Sequence, residues 1–207
     1  EAMDGTTFGV VDPRMEFMFS KTQLGTFRGT TNGAGRDPDV VDLRLDASTL
    51  VESTFYANRI SPVMVMTFAE QKFIEAEAYL AKGAGFNAQA YAAYLAGIAA
   101  HMDMLGVDPT DRDAYINDPE VSVGDANITL DLVMKEKYVA MFLHPEAWND
   151  ARRYDFQYED MTVPDQLNEN LGGQFSRRLQ YPSSEFSTNS ANVPEVNLLN
   201  RIWWDQN

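Results

Sequence analysis

The chain has 207 residues, 44% of them hydrophobic and 12% aromatic, which is enough to bury a real core and too apolar for a disordered acidic tail. Its 31 acidic against 16 basic side chains give a net charge of −15, which argues against nucleic acid and anionic lipid as partners; the nearest basic clusters are the pairs Arg152-Arg153 and Arg177-Arg178. The absence of cysteine removes disulfides, thiolate metal sites and cysteine nucleophiles, and no apolar run reaches the roughly 18 residues of a membrane-spanning helix.

Residues 1–60 read as irregular and strand-like, because Gly5, Gly9, Gly25, Gly29, Gly33 and Gly35 punctuate short apolar pieces such as Met15–Phe19. Within them Gly29–Asp39 reads as a loop. The opening Glu1-Ala2-Met3-Asp4-Gly5 has neither the basic nor the apolar region of a targeting peptide, which reads as absent or already removed.

Residues 67–82 carry the strongest helix signal. Thr67-Phe68-Ala69-Glu70 fits a capping box, Ala69, Phe73, Ala76 and Leu80 make one apolar stripe, and Gly83 follows as a C-cap. Ile74, Ala78 and Ala81 make a second apolar face, which predicts a helix buried between layers, with Glu70 and Glu77 between the faces. Asn87 is placed to cap a second helix to Leu105, striped by Tyr91, Tyr94, Leu95, Ile98, Met102 and Leu105 and stopped by Gly106. The short connection predicts an antiparallel helical hairpin, close in size to one tetratricopeptide unit; only one such hairpin is found.

Gly106–Gly124 reads as an acidic, turn-rich loop. Asp125 is placed to cap a third helix to Leu143, with Ile128, Leu132, Val139 and Phe142 on its stripe. Pro145 predicts the start of a short fourth helix that carries Trp148 and ends near Arg153. From Tyr154 onward the chain is polar, asparagine-rich and helix-poor, closing with Ile202-Trp203-Trp204-Asp205.

Several motifs take plain structural readings. Gly83-Ala84-Gly85-Phe86-Asn87-Ala88 matches a dinucleotide fingerprint by letters, but a helix precedes it where a strand is required. Asp108, Asp111, Asp113, Asp118 and Glu120 crowd one segment without the calcium-loop register, so they read as a solvated acidic loop. His101 and His144 form no zinc or di-iron pattern; His101 reads as an ordinary helix residue and His144 as a helix-end residue. Glu70, Glu77 and Glu136 could be paired carboxylates for acid–base work, but the structural reading is better: Glu77 largely buried and paired with Lys135, Arg152 or Arg153. Phe17, Phe19 and Phe27 lie in the first loop-rich segment, and Tyr181, Trp203 and Trp204 in the last; such rings either pack or stack on sugar faces, and composition does not separate the two.

These pieces in order resemble a known family. Glu75-Ala76-Glu77-Ala78 is followed by a second helix and by Glu136-Lys137-Tyr138. Then come Glu146-Ala147-Trp148-Asn149-Asp150-Ala151-Arg152-Arg153, Arg177-Arg178-Leu179-Gln180-Tyr181-Pro182-Ser183-Ser184-Glu185, Asn189-Ser190-Ala191-Asn192 and Trp203-Trp204-Asp205. With Asp12-Pro13-Arg14 near the start, this is similar to the C-terminal half of SusD/RagB-type nutrient-binding lipoproteins, over most of residues 10–205.

The resemblance implies a mainly α fold: a tetratricopeptide-like helical hairpin scaffold (residues 67–153) between a loop and short-strand segment (1–60) and a loop-rich C-terminal segment (154–207). It implies non-catalytic capture of oligosaccharide or polysaccharide, in some members peptide, at the outer face of the outer membrane, with delivery to a SusC-like TonB-dependent transporter. It implies a lipid anchor on an N-terminal half absent here, so that the chain reads as roughly half of a larger architecture and should expose apolar surface along helix 67–82. No catalytic residue, metal or cofactor is implied, and Phe17, Phe19 and Phe27 are the candidate sugar contacts. Two rival readings remain. A helical-repeat adaptor for proteins would show several similar hairpins. A glycoside hydrolase would hold two of Glu70, Glu77 and Glu136 across a cleft.

Overall fold

The computed structural model describes residues 3–6, 8–33, 47–158 and 161–205. Seven α-helices are present among them: α1 (Met15–Met18), α2 (Phe68–Lys82), α3 (Asn87–Leu105), α4 (Pro109–Ile116), α5 (Leu130–Ala140), α6 (Glu146–Arg153) and α7 (Ser183–Thr188). The described residues fall into two compact units, one of residues up to 30, 47–147 and 158, the other of 31–33, 148–157 and 161–205.

The fold is mainly α, as the sequence predicts. The strand-like reading of residues 1–60 gives way to turns: among the described residues there is a single isolated bridge, Asp4 to Val11, and α1 takes up Met15–Met18 of the piece Met15–Phe19. Each apolar piece between the glycines is too short to form a ladder. Of the predicted loop Gly29–Asp39, residues 34–39 lie outside the described residues.

Helix α2 begins as predicted, with Thr67 accepting from Glu70 N–H and the Glu70 carboxylate accepting from Thr67 N–H. Ala69, Phe73 and Ala76 are buried against α3 and α5. The contacts between α2 and α3 run in opposite senses: Ala69 shares a pocket with Ala100, Phe73 meets Gly97, and Tyr79 stacks on Phe86, so the hairpin is antiparallel. Gly97 makes this close crossing possible, because a Cβ there would stand 2.9 Å from the Phe73 ring. Gly106 ends α3 in the left-handed conformation, with Val107 N–H reaching Met102 O.

Other expectations need correction. The second face of α2 is not buried between layers: Ile74 is 43% exposed and Ala78 and Ala81 are exposed, continuous in sequence with Val63 (91%) and Val65 (84%) before the helix. Apolar surface along α2 is therefore present. Asn87 does not cap α3; a 3₁₀ turn over Ala84–Phe86 runs straight into the helix. The acidic stretch contains α4, because Asp108 caps it by accepting from Thr110 N–H and Pro109 takes the first position. Helix α5 starts at Leu130 behind the Thr129 cap, not at Asp125, and it ends at Ala140, not Leu143. Ile128 before that cap and Val133 in the first turn are both buried, the placement of a hydrophobic staple.

At the centre of the first unit lies a buried polar network. Arg14, wholly buried, binds Asp12 through Nε and Nη2 and the Glu136 carboxylate through Nη2 (2.6 Å). Tyr115 donates its hydroxyl to the other Glu136 oxygen (2.8 Å). Burial opposes the Arg14 charge, but Asp12 and then Glu136 overcome it and hold the guanidinium pKa well above its ordinary value. Arg14 Nη1 lies 3.3 Å from Nδ1 of His101, which makes that nitrogen the acceptor, so Nε2 carries the proton and donates to the Tyr56 hydroxyl (3.0 Å). His101 is thus fully buried and bonded through both ring nitrogens, and the reading of it as an ordinary helix residue is corrected.

The second unit is built on arginines as well. Arg152 is stacked between Trp148 (3.8 Å to the ring centre) and Trp204 (4.6 Å). Arg152 and Arg177 donate to each other's backbone carbonyls. Asp205, buried, accepts from Arg177 (3.0 Å) and Arg201 (3.1 Å), and Asp155 pairs with the same two arginines. Asp155 and Phe156 both adopt left-handed backbone (φ 55° and 57°), held by these ion pairs and by Phe156 stacking on Phe175 at 4.2 Å.

Two outcomes test the Arg14 network. Arg14→Met leaves two buried carboxylates without their cation and is expected to lower unfolding free energy by about 3–5 kcal/mol in denaturant titration, with Arg14→Met/Asp12→Asn/Glu136→Gln recovering part of it. A loss below about 1 kcal/mol would show that the network is not structural. Burial, and next the Arg14 charge, hold His101 well below the usual imidazole range. The unfolded chain therefore takes up the proton first, so this group's share of stability is complete above about pH 6.5 and declines below it. Between pH 7.5 and 5.5 the parent chain should lose about 1 kcal/mol more stability than His101→Gln; equal losses would contradict the buried neutral imidazole.

Candidate functional site

The first unit holds an open pocket of about 500 Å³. One wall comes from α1 and its end, with Met15, Met18 and Phe19. A second comes from the following loop, with Phe27, Arg28 and Gly29 beside Ser48. The third is the end of α5 and its turn, including Tyr138, Met141, Phe142 and Leu143.

Local bonds hold these walls in place. Ser20 N–H donates to Thr49 O (2.9 Å), and Arg28 and Ser48 exchange two bonds, Arg28 N–H to Ser48 Oγ (3.0 Å) and Ser48 N–H to Arg28 O (2.7 Å). Beyond α5, Leu143 takes φ +60°, a left-handed conformation that costs a β-carbon residue about 1–2 kcal/mol and turns the chain along the pocket rim. His144 Nδ1 accepts from Glu146 N–H (3.2 Å), so His144 serves the start of α6 and does not sit at a helix C-terminus. The Phe142 ring stands edge-on between Phe19 (5.1 Å) and Tyr56 (5.4 Å), and Tyr56 carries the far end of the Arg14–His101 chain. The pocket wall and the buried network are thus one packed assembly. Burial pushes Tyr56 up to about 12, so its hydroxyl stays protonated.

The pocket is apolar in its depth, with Met15, Met18 and Met141, and polar at Asp4, Arg28 and Ser48. Such a lining takes the carbon face of a ring and leaves hydroxyls for the polar groups. Of the three aromatic residues singled out in the sequence, Phe19 and Phe27 line the pocket together. Phe17 does not line it; it packs against the core and its carbonyl accepts from Phe55 N–H (2.9 Å). Lys21 stands 5.3 Å over the Phe27 ring.

The glutamates are committed elsewhere. Glu70 closes the α2 capping box, and Glu136 is held by Arg14 and Tyr115. Glu77 is paired, its carboxylate 3.8 Å from Lys137 of α5; Lys135 lies 3.4 Å from Asp131, and Arg153 binds Asp150 at 2.7 Å. Lys137 shares one buried face of α5 with Val133 and Ala140. Among the described residues no group of histidines and carboxylates is arranged to hold a metal, and no helix is long and apolar enough to cross a membrane. The Arg14 network escaped sequence reasoning; Asp12-Pro13-Arg14 was its only signal.

The model of a SusD-like family, described as "Starch-binding associating with outer membrane", matches residues 5–182. The match spans nearly all the pocket residues and both arginine pairs. Among curated proteins no sequence matches the chain.

The two pocket phenylalanines should separate by stability. Phe19→Ala removes packing against Phe142 and is expected to cost about 2–3 kcal/mol, while Phe27→Ala should cost less than about 1 kcal/mol. Thermal unfolding of both variants decides this; an equal large loss would make Phe27 a packing residue and no free ring.

Proposed function

The chain belongs to the SusD-like family, and from that premise we propose that it captures oligosaccharide or polysaccharide at the bacterial cell surface without hydrolysing it. In this reading the glycan is handed to a SusC-like TonB-dependent transporter, and the full-length protein is held on the external face of the outer membrane by a lipid anchor. The observation that carries the reading is the pocket that brings Phe19 and Phe27 together within the family match. Phe27 supplies the ring, Phe19 the supported wall, and Arg28 and Ser48 the groups for hydroxyls. The net charge of −15 favours a neutral glycan over an anionic one. The methionines of the pocket also suit an apolar peptide side chain, since thioethers adapt to irregular shapes, and this supports a peptide as the second ligand class.

The rival readings have less support. The hydrolase reading needs two free carboxyls facing a cleft, and Glu70, Glu77 and Glu136 each have a structural partner. The adaptor reading needs several similar hairpins, and among the described residues α2 and α3 form one.

Affinity electrophoresis and calorimetry against neutral and anionic polysaccharides and a peptide mixture, with a reducing-end assay in parallel, test the proposal. Retardation by a neutral polysaccharide without release of reducing ends, weakened about tenfold by Phe27→Ala, is the expected result. Turnover abolished by Glu77→Gln, or no retardation by any polysaccharide, would overturn it.

A further inference from the structure

A second pocket, of about 200 Å³, lies in the first unit against the buried network. Phe8, Tyr94, Tyr115, Glu120, Lys135 and Glu136 form most of its wall. At this size it takes a group smaller than the ligands of ordinary binding clefts, which occupy about 300–1,000 Å³.

Its polar groups are not all used by the fold. Tyr94 is only 1% exposed, yet its hydroxyl has no hydrogen-bond partner among the described residues. Burial, then the nearby Glu136 charge, push the Tyr94 phenol far above its ordinary range, so it remains protonated and able to donate. Each Glu136 oxygen already accepts one bond, from Tyr115 and from Arg14, and each keeps a second lone pair. Glu120 lines the same pocket, is exposed, and has no ion pair among the described residues.

The cations are balanced. Lys135 lies 3.4 Å from Asp131 and 4.8 Å over the Phe8 ring, and Arg14 serves Asp12 and Glu136. What remains is two carboxylate acceptors and one free phenol between aromatic walls. That set hydrogen-bonds vicinal hydroxyls and accepts the apolar face of a ring. Glu120 and Glu136 repel a ligand carboxylate or sulfate, and Lys135 in the same wall, with Arg14 bound to Glu136, disfavours an organic cation.

We propose that this pocket is a separate subsite for one neutral hexose unit, built on Tyr94, Glu120 and Glu136. It rests on the glycan-capture reading above and adds a second point of attachment with a preference for uncharged sugars. Tyr94 donates to a sugar hydroxyl, Glu120 and Glu136 accept from its neighbours, and Phe8 covers the carbon face.

The test is calorimetry and saturation-transfer NMR on the full chain with D-glucose, D-glucuronate and soluble starch. The variants are Tyr94→Phe and Leu132→Trp, which fills the pocket from its wall. Glucose should bind the parent chain, about fivefold more weakly to Tyr94→Phe and not measurably to Leu132→Trp. Glucuronate should bind at least about tenfold more weakly than glucose. Should Leu132→Trp fail to fold, Tyr94→Phe, which keeps the ring, decides alone. Starch bound with no glucose binding, or glucose affinity unchanged in Tyr94→Phe, overturns the subsite and leaves glycan capture standing. Neither sugar bound overturns both.

Discussion

A fully buried guanidinium organises the first unit. An arginine removed from water is tolerable only if its charge is matched and its donors are largely occupied, and Arg14 achieves this with Asp12, Glu136 and His101, which engage four of its five N–H groups. Those partners come from the segment before α1, from α5 and from α3, and Glu136 and His101 in turn hold Tyr115 of α4 and Tyr56. One side chain therefore fixes the relative placement of several elements whose own helical signals are purely local. The planar fork is what allows it; a lysine ammonium would not reach three partners in this arrangement. Both pockets lean on the same network. Tyr56 supports Phe142 and Phe19 at the larger one, and Glu136 and Tyr115 form the wall of the smaller.

The second unit solves the same problem with more charge and less apolar mass. Arg152 lies between two indoles, while Arg177 and Arg201 share Asp155 and Asp205. The sequence blocks around Arg152, Arg177 and Trp204-Asp205, which carry much of the family resemblance, therefore meet in a structural cluster.

Function separates from these supports. The larger pocket is deep in methionine and phenylalanine and offers shape and apolar area. The smaller is lined by two phenols, two carboxylates and a lysine and offers directed hydrogen bonds. A chain molecule touching both would gain from two weak attachments without either being strong alone.

The helices were legible where their instructions are local. Thr67 and Glu70 announce α2, the spacing from Tyr91 to Leu105 with Gly106 announces α3, and Pro145 announces α6. The family too was legible, from the order of short blocks. Helix α4 was missed although Asp108-Pro109 encodes its start, because the acidic composition masked the cap; α5 was begun too early because Thr129 competes with Asp125 as a cap and buried Ile128 decides between them. The rest could not be read along the chain. Glu77 of α2 meets Lys137 of α5, Arg14 meets Glu136 across 122 residues, and Phe17 turns to the core while Phe19 and Phe27 line a pocket. The sequence by itself determined which segments coil and which family they form, since those follow from neighbours within a turn or two. Only the tertiary structure decided which buried charges pair and which rings line a pocket, since those follow from packing between segments remote in the chain.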